Sequence, residues 1–117
     1  MLAQPKIEFR RPYFVTPHAL HRFRERVLAL LGHNLPDMLI IQIINAALQV
    51  RRDPAWTYRW GHGKERQLTK TYAAMYAGVR YYIATARNPD RDWPFVATIL
   101  GPDQGHKYKE DLNDDEA

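Results

Sequence analysis

Along one stretch of this chain a histidine and two arginines recur at every fourth position, as His18, Arg22 and Arg26. Residues four apart share one side of a helix, and these three spread over only about 80° of arc. Histidine titrates near neutral pH, and guanidinium groups hold phosphate oxygens through paired hydrogen bonds. Imidazole beside guanidinium therefore suits phosphate binding, or general acid–base work on RNA. That chemistry needs a second surface, and Lys70, Tyr72, Arg80 and Tyr82 are its candidates. The same residues also fit an ordinary solvated helix face, with Glu25 among the arginines and His18 a boundary residue.

Other constellations are weaker. His21 and Glu25 form a His-x-x-x-Glu pair, which His33 and His62 could join only by accident of folding, so no metal site is expected. Trp56, Tyr58 and Trp60 alternate along a strand and could stack on unpaired bases, with Arg59, Lys64 and Arg66 meeting phosphates. Such alternation also describes a core face, the reading favoured for these three. Tyr72 and Tyr82, flanked by Lys70 and Arg80, are the better stacking candidates. Gly61-His62-Gly63-Lys64 lacks the spacing and hydroxyl residue of a phosphate loop. The chain has no serine and no cysteine, which removes serine nucleophiles, disulfides and thiolate-ligated zinc. No cofactor is expected.

With 117 residues, 45% of them hydrophobic and 26% charged, the chain has the length and composition of one globular domain. No apolar run approaches the eighteen or so residues of a membrane span, and Met1 to Arg11 lacks a signal-peptide layout, so a cytoplasmic protein is expected. The net charge of +4 is unevenly distributed. Residues 1–102 hold fifteen Lys and Arg against seven Asp and Glu, a balance of +8; residues 103–117 hold two against six, or −4. A body this basic is an electrostatic footprint for a polyanion, although charge of this size also serves solubility alone. Residues 1–12 read as an extended arm, 13–102 as a single α+β domain and 103–117 as an acidic, disordered tail.

The elements that must position these side chains follow from punctuation and period. Tyr13-Phe14-Val15 is a short strand candidate. Thr16-Pro17 is a helix start, and from His18 to Leu31 an apolar stripe of Ala19, Leu20, Phe23, Val27, Leu30 and Leu31 runs to a stop at Gly32. Asn34 is placed to cap a second, nearly all-apolar helix from Met38 to Val50, with Asp37 in its first turn. Beyond Pro54 the period changes to two: Trp56 to Trp60, a hairpin of Leu68 to Met75 and Val79 to Arg87, and a last strand from Phe95 to Leu100. A three-residue hairpin loop with Gly78 left-handed avoids positive φ at Ala77. It puts Thr71, Ala73 and Met75 with Val79, Tyr81 and Ile83 on the core face, and Lys70, Tyr72, Arg80 and Tyr82 together on the other. The expected fold is α+β, two N-terminal helices packed on a small curved antiparallel sheet of three to four strands.

The segment Thr16 to Arg26 resembles the His-Ala-x-x-Arg-x-x-x-Arg opening helix of a small bacterial and phage family of unknown function, distantly similar to the RelE and BrnT toxins. A second apolar helix, the Tyr76-Ala77-Gly78 turn and the Val96-Ala97-Thr98 strand extend the resemblance over about residues 14–100. It implies a RelE-like fold whose sheet holds RNA and promotes metal-independent cleavage. On it His18 is the acid–base residue, Arg22, Arg26 and Arg80 stabilise phosphate charge, and Thr98 positions a ligand or holds the sheet. Leu28 to Asn34 departs from the family by lengthening the junction between the helices. Two functions are therefore open: an RNA-interacting protein that is a toxin-type ribonuclease, with RNA and a small antitoxin as partners, or a non-enzymatic module that contacts a host protein or nucleic acid through its basic face.

Overall fold

A computed structural model of the chain describes residues 12–50, 54–60, 67–87 and 94–104. Residues 1–11 of the expected arm, 105–117 of the expected acidic tail, the Gly61 to Gly63 turn, and Lys64 and Arg66 lie outside the described residues. β1 (Phe14–Val15) leads into helix α1 (residues 17–31), and α2 (Asp37–Val50) follows. Then come β2 (Trp56–Trp60), β3 (Gln67–Tyr76), β4 (Val79–Arg87) and β5 (Pro94–Leu100). The fold is α+β. All five strands form one sheet in the order β1-β5-β4-β3-β2, antiparallel throughout except that β1 runs parallel to β5. The expected antiparallel sheet of three to four strands is thus a mixed sheet of five. A parallel pair needs a long crossover between its strands, and here α1, α2 and three strands supply it.

Local chemistry explains α1. The Thr16 hydroxyl accepts from the Ala19 amide at 3.1 Å, Pro17 occupies the first turn, and Gly32 ends the helix at φ +70°. Between α-helical Pro17–Phe23 and Ala29–Leu31, the residues Arg24–Leu28 are π-helical, and the Ala29 amide reaches back to the Arg24 carbonyl. A π turn inserts one residue into the helical frame. The apolar stripe accordingly jumps: Ala19, Phe23, Val27 and Leu28 are buried, whereas Leu30, expected in the stripe, points to solvent.

Asn34 does not cap α2. Its Oδ1 accepts from the Leu35 amide and from Arg24 Nε, while the Pro36 carbonyl accepts the first amides of the helix, those of Leu39 and Ile40. Arg24 also donates to the Leu35 carbonyl and the Asp37 carboxylate, so one guanidinium holds the junction between the helices.

The hairpin turns in two residues, with Ala77 at φ +49° and Gly78 at φ +84° between paired Tyr76 and Val79. This is the turn whose twist matches the strands, and strand twist outweighs the cost of a left-handed alanine. Ala77→Asn, which tolerates that conformation better, is expected to stabilise the fold by about 0.5–1 kcal/mol in urea titration. A result at or below zero would show that the turn is not strained at Ala77.

The shorter turn keeps Val79, Tyr81 and Ile83 of β4 toward the core as expected but reverses the faces of β3. Tyr72, Ala74, Tyr81 and Ile83 are buried with Phe23, Val27, Ile40, Ile44, Val96 and Ile99, so they form the face that the helices cover. Thr71, Ala73 and Met75, expected in that core, lie with Arg80, Tyr82 and Ala84 on the other face. The register also sets Trp56 opposite Thr71 and Tyr58 opposite Thr69. In β5, a bulge at Ala97 leaves Ala84 paired with Thr98 but Thr85 with Val96. Simple alternation would keep Val96 and Thr98 on one side; the extra residue separates them.

Candidate nucleic-acid interface

The row on α1 is held in place by its neighbours. His18 is exposed. Arg22 Nη1 donates to both carboxylate oxygens of Glu25 at 3.1 Å, and its Nε is buried with no partner among the described residues. Arg26 Nη1 donates to the Ile99 carbonyl at 2.7 Å, and its stem packs on Gly101. Burial and then the nearby Arg22 charge lower the proton affinity of Arg26, with Glu25 opposing them. Beside the phosphate-binding role expected of it, Arg26 thereby takes a structural one.

That role is to cover a sheet edge. β1 pairs only with Phe95 and Val96, leaving the rest of β5 without a strand on that side among the described residues. The Thr16 hydroxyl donates within reach of the Val96 and Ala97 carbonyls at 3.0 and 3.2 Å, and Arg26 takes the next one, Ile99. Open carbonyl rows invite pairing with other chains. Arg26→Ala is expected to cost about 1–2 kcal/mol and to raise the aggregation rate of the folded protein by light scattering; unchanged values of both would assign no covering role to Arg26.

His18, Arg22 and Arg80 do not converge on one face. Arg80 is exposed opposite Met75 on the side of the sheet away from the helices, because Tyr81 beside it faces Phe23. Tyr82 lies with Arg80 on that far side. Lys70 and Tyr72 lie on the helix-bearing side, so the four hairpin residues are split two and two by the register. Thr98 is half-buried on the far face. His21 approaches Glu25 at 3.2 Å in the open, and among the described residues no group of three or more His, Asp or Glu is gathered as for a metal.

What the fold does assemble is a pocket of about 110 Å³ at the end of the helix-bearing sheet face, lined by Tyr13, Lys70, Tyr72, Thr85, Ala86, Arg87 and Pro94. Lys70 and Thr85 are register partners, as are Arg87 and Pro94. The Thr85 hydroxyl donates to the Lys70 carbonyl at 2.7 Å, tying the two strands beneath the site. Tyr13 reaches it because Asn45, a polar residue in the apolar α2, clamps its backbone. Asn45 Oδ1 accepts from the Tyr13 amide at 2.7 Å, and Nδ2 donates to the Tyr13 and Ile41 carbonyls at 3.2 and 3.1 Å. Among the described residues the lining contains two cationic side chains and two phenols, and no carboxylate. Such a set can hold an anion by charge and a planar group by contact. Lys70 and Tyr72 belonged to the sequence-derived set. Tyr13, Arg87 and Pro94 did not, because only the hairpin register and the return of β5 to β1 bring them together.

Comparison with protein-family models, with curated proteins and with solved structures returns no match. Among the described residues no helix is long and apolar enough to cross a membrane.

Proposed function

We propose that this chain is an RNA-binding α+β domain of RelE-like type, acting through the Lys70–Arg87 pocket and not through a His18-centred cluster. The observation that carries the reading is the pocket lining, which among the described residues sets Lys70 and Arg87 beside Tyr13 and Tyr72. Phosphate contacts from Lys and Arg supply most of the affinity for nucleic acid, and aromatic rings accept unpaired bases. The choice of RNA comes from the resemblance of residues 14–100 to the toxin-like family. Binding is favoured over cleavage because no histidine among the described residues lines the pocket and Arg80 lies across the sheet from His18.

The test is RNA affinity measured across a salt series. The wild-type chain is expected to bind with a negative slope of log affinity against log salt. Lys70→Ala and Arg87→Ala should each weaken binding about tenfold and flatten the slope by about 0.7, as for one phosphate contact on a single strand. His18→Ala should leave affinity unchanged, and no variant should reveal cleavage. Affinity indifferent to Lys70 and Arg87 would refute the site. Cleavage that disappears with His18→Ala would restore the ribonuclease reading.

A further inference from the structure

We infer that the pocket takes one unpaired nucleotide, so that the chain prefers single-stranded RNA to duplex; this rests on the reading of the Lys70–Arg87 site as an RNA site. Charge and rings occupy different depths in it. Lys70 and Arg87 are exposed, Tyr13 and Pro94 are half-buried, and Tyr72, Thr85 and Ala86 are buried. A ligand arriving from solvent meets cations at the mouth and flat or small surfaces beneath them.

An unstacked nucleotide has the same order, since its base can turn inward while its phosphate stays at the surface. An A-form duplex keeps its bases stacked and paired inside and presents only phosphates and sugar edges. It can satisfy the mouth of the pocket but has nothing to place on the floor. Size points the same way. At about 110 Å³ the pocket is a small one, on the scale of a single planar group. At the floor, the Thr85 hydroxyl has given its hydrogen to the Lys70 carbonyl, so its lone pairs are left to accept from an amino or imino group.

The experiment uses the full chain and fluorescence anisotropy with a labelled eight-nucleotide oligouridine, alone and annealed to oligoadenosine, at one salt concentration. The single strand is expected to bind about tenfold more tightly than the duplex, as one base on an aromatic surface accounts for. Tyr13→Ala should abolish that preference by weakening the single strand alone, with an unchanged salt slope, and Tyr13→Phe should retain it. Tyr72→Leu, which keeps an apolar side chain in the core, should act like Tyr13→Ala if circular dichroism shows it folded. Equal or tighter binding of the duplex, with Lys70 and Arg87 still required, overturns the single-nucleotide inference and leaves the RNA site standing. A Tyr13→Ala variant that loses single strand and duplex equally also overturns it. Failure of both probes to bind overturns the RNA reading itself.

Discussion

Phe23→Ala is expected to remove about 4 kcal/mol of folding stability, the largest loss from any single side chain considered. Phe23 is fully buried, at the point where α1 changes from α to π geometry. Its ring meets Tyr81 edge-on at 5.4 Å between centroids and Tyr76 at 6.1 Å, so it joins α1 to both strands of the hairpin. Truncating a buried Phe to Ala costs about 3–5 kcal/mol through lost transfer energy and the cavity left behind, and aromatic pairing contributes about 0.5–1.5 kcal/mol beyond burial. Against a total of about 5–15 kcal/mol for a native domain, this leaves a marginal fold. The measurement is equilibrium urea unfolding with a thermal melt, in which Tm should fall by roughly 15 °C. Phe23→Leu, which keeps most of the volume, should lose less than half as much. A loss below about 1 kcal/mol for the alanine variant would mean that the core does not pivot on this ring.

Asn45→Leu is expected to cost about 2–3 kcal/mol and to weaken RNA binding as well. The substitution keeps the size of the side chain but leaves the Tyr13 amide and carbonyl without their partners on α2. Each backbone group left unsatisfied in a part-buried place costs about 1–3 kcal/mol. The damage should be local: Tyr13 would no longer be held as a pocket wall, and β1, paired with β5 through only Phe14 and Val15, would loosen. Hydrogen exchange at Val15 and Thr16 is the discriminating readout, with faster exchange there than at Ile83. Asn45→Asp separates the two halves of the clamp, because a carboxylate still accepts from the Tyr13 amide but cannot donate to its carbonyl. Unchanged exchange at Val15 in both variants would show that Asn45 does not hold this segment.

Much of the fold could be read from the sequence because its signals are local. Thr16-Pro17 and Gly32 mark the ends of α1 through one side chain, one ring and one left-handed backbone. The apolar run of α2, the change of period after Pro54 and the alternation of the hairpin strands likewise need no distant partner. Three of the departures share one character: each is a shift of frame by a single residue. The π turn moves Leu28 inward and Leu30 outward, the two-residue turn flips β3 relative to β4, and the Ala97 bulge parts Val96 from Thr98. A one-residue slip changes no composition and little propensity, yet it moves every following side chain in a strand to the opposite face.

The candidate site shows the consequence. The sequence by itself determined a basic α+β domain with arginines along its first helix and a cationic, tyrosine-bearing hairpin, since residue type and period are local properties. It named Lys70 and Tyr72 on that ground. Only the tertiary structure decided which of these residues meet. Register took Lys70 and Tyr72 to the helix-bearing face and away from Arg80 and Tyr82, Glu25 and the Ile99 carbonyl engaged the arginines of α1, and the return of β5 to β1 brought Arg87, Pro94 and Tyr13 around Lys70. The pocket joins residues as far apart in sequence as Tyr13 and Pro94, and their meeting is a property of the assembled sheet.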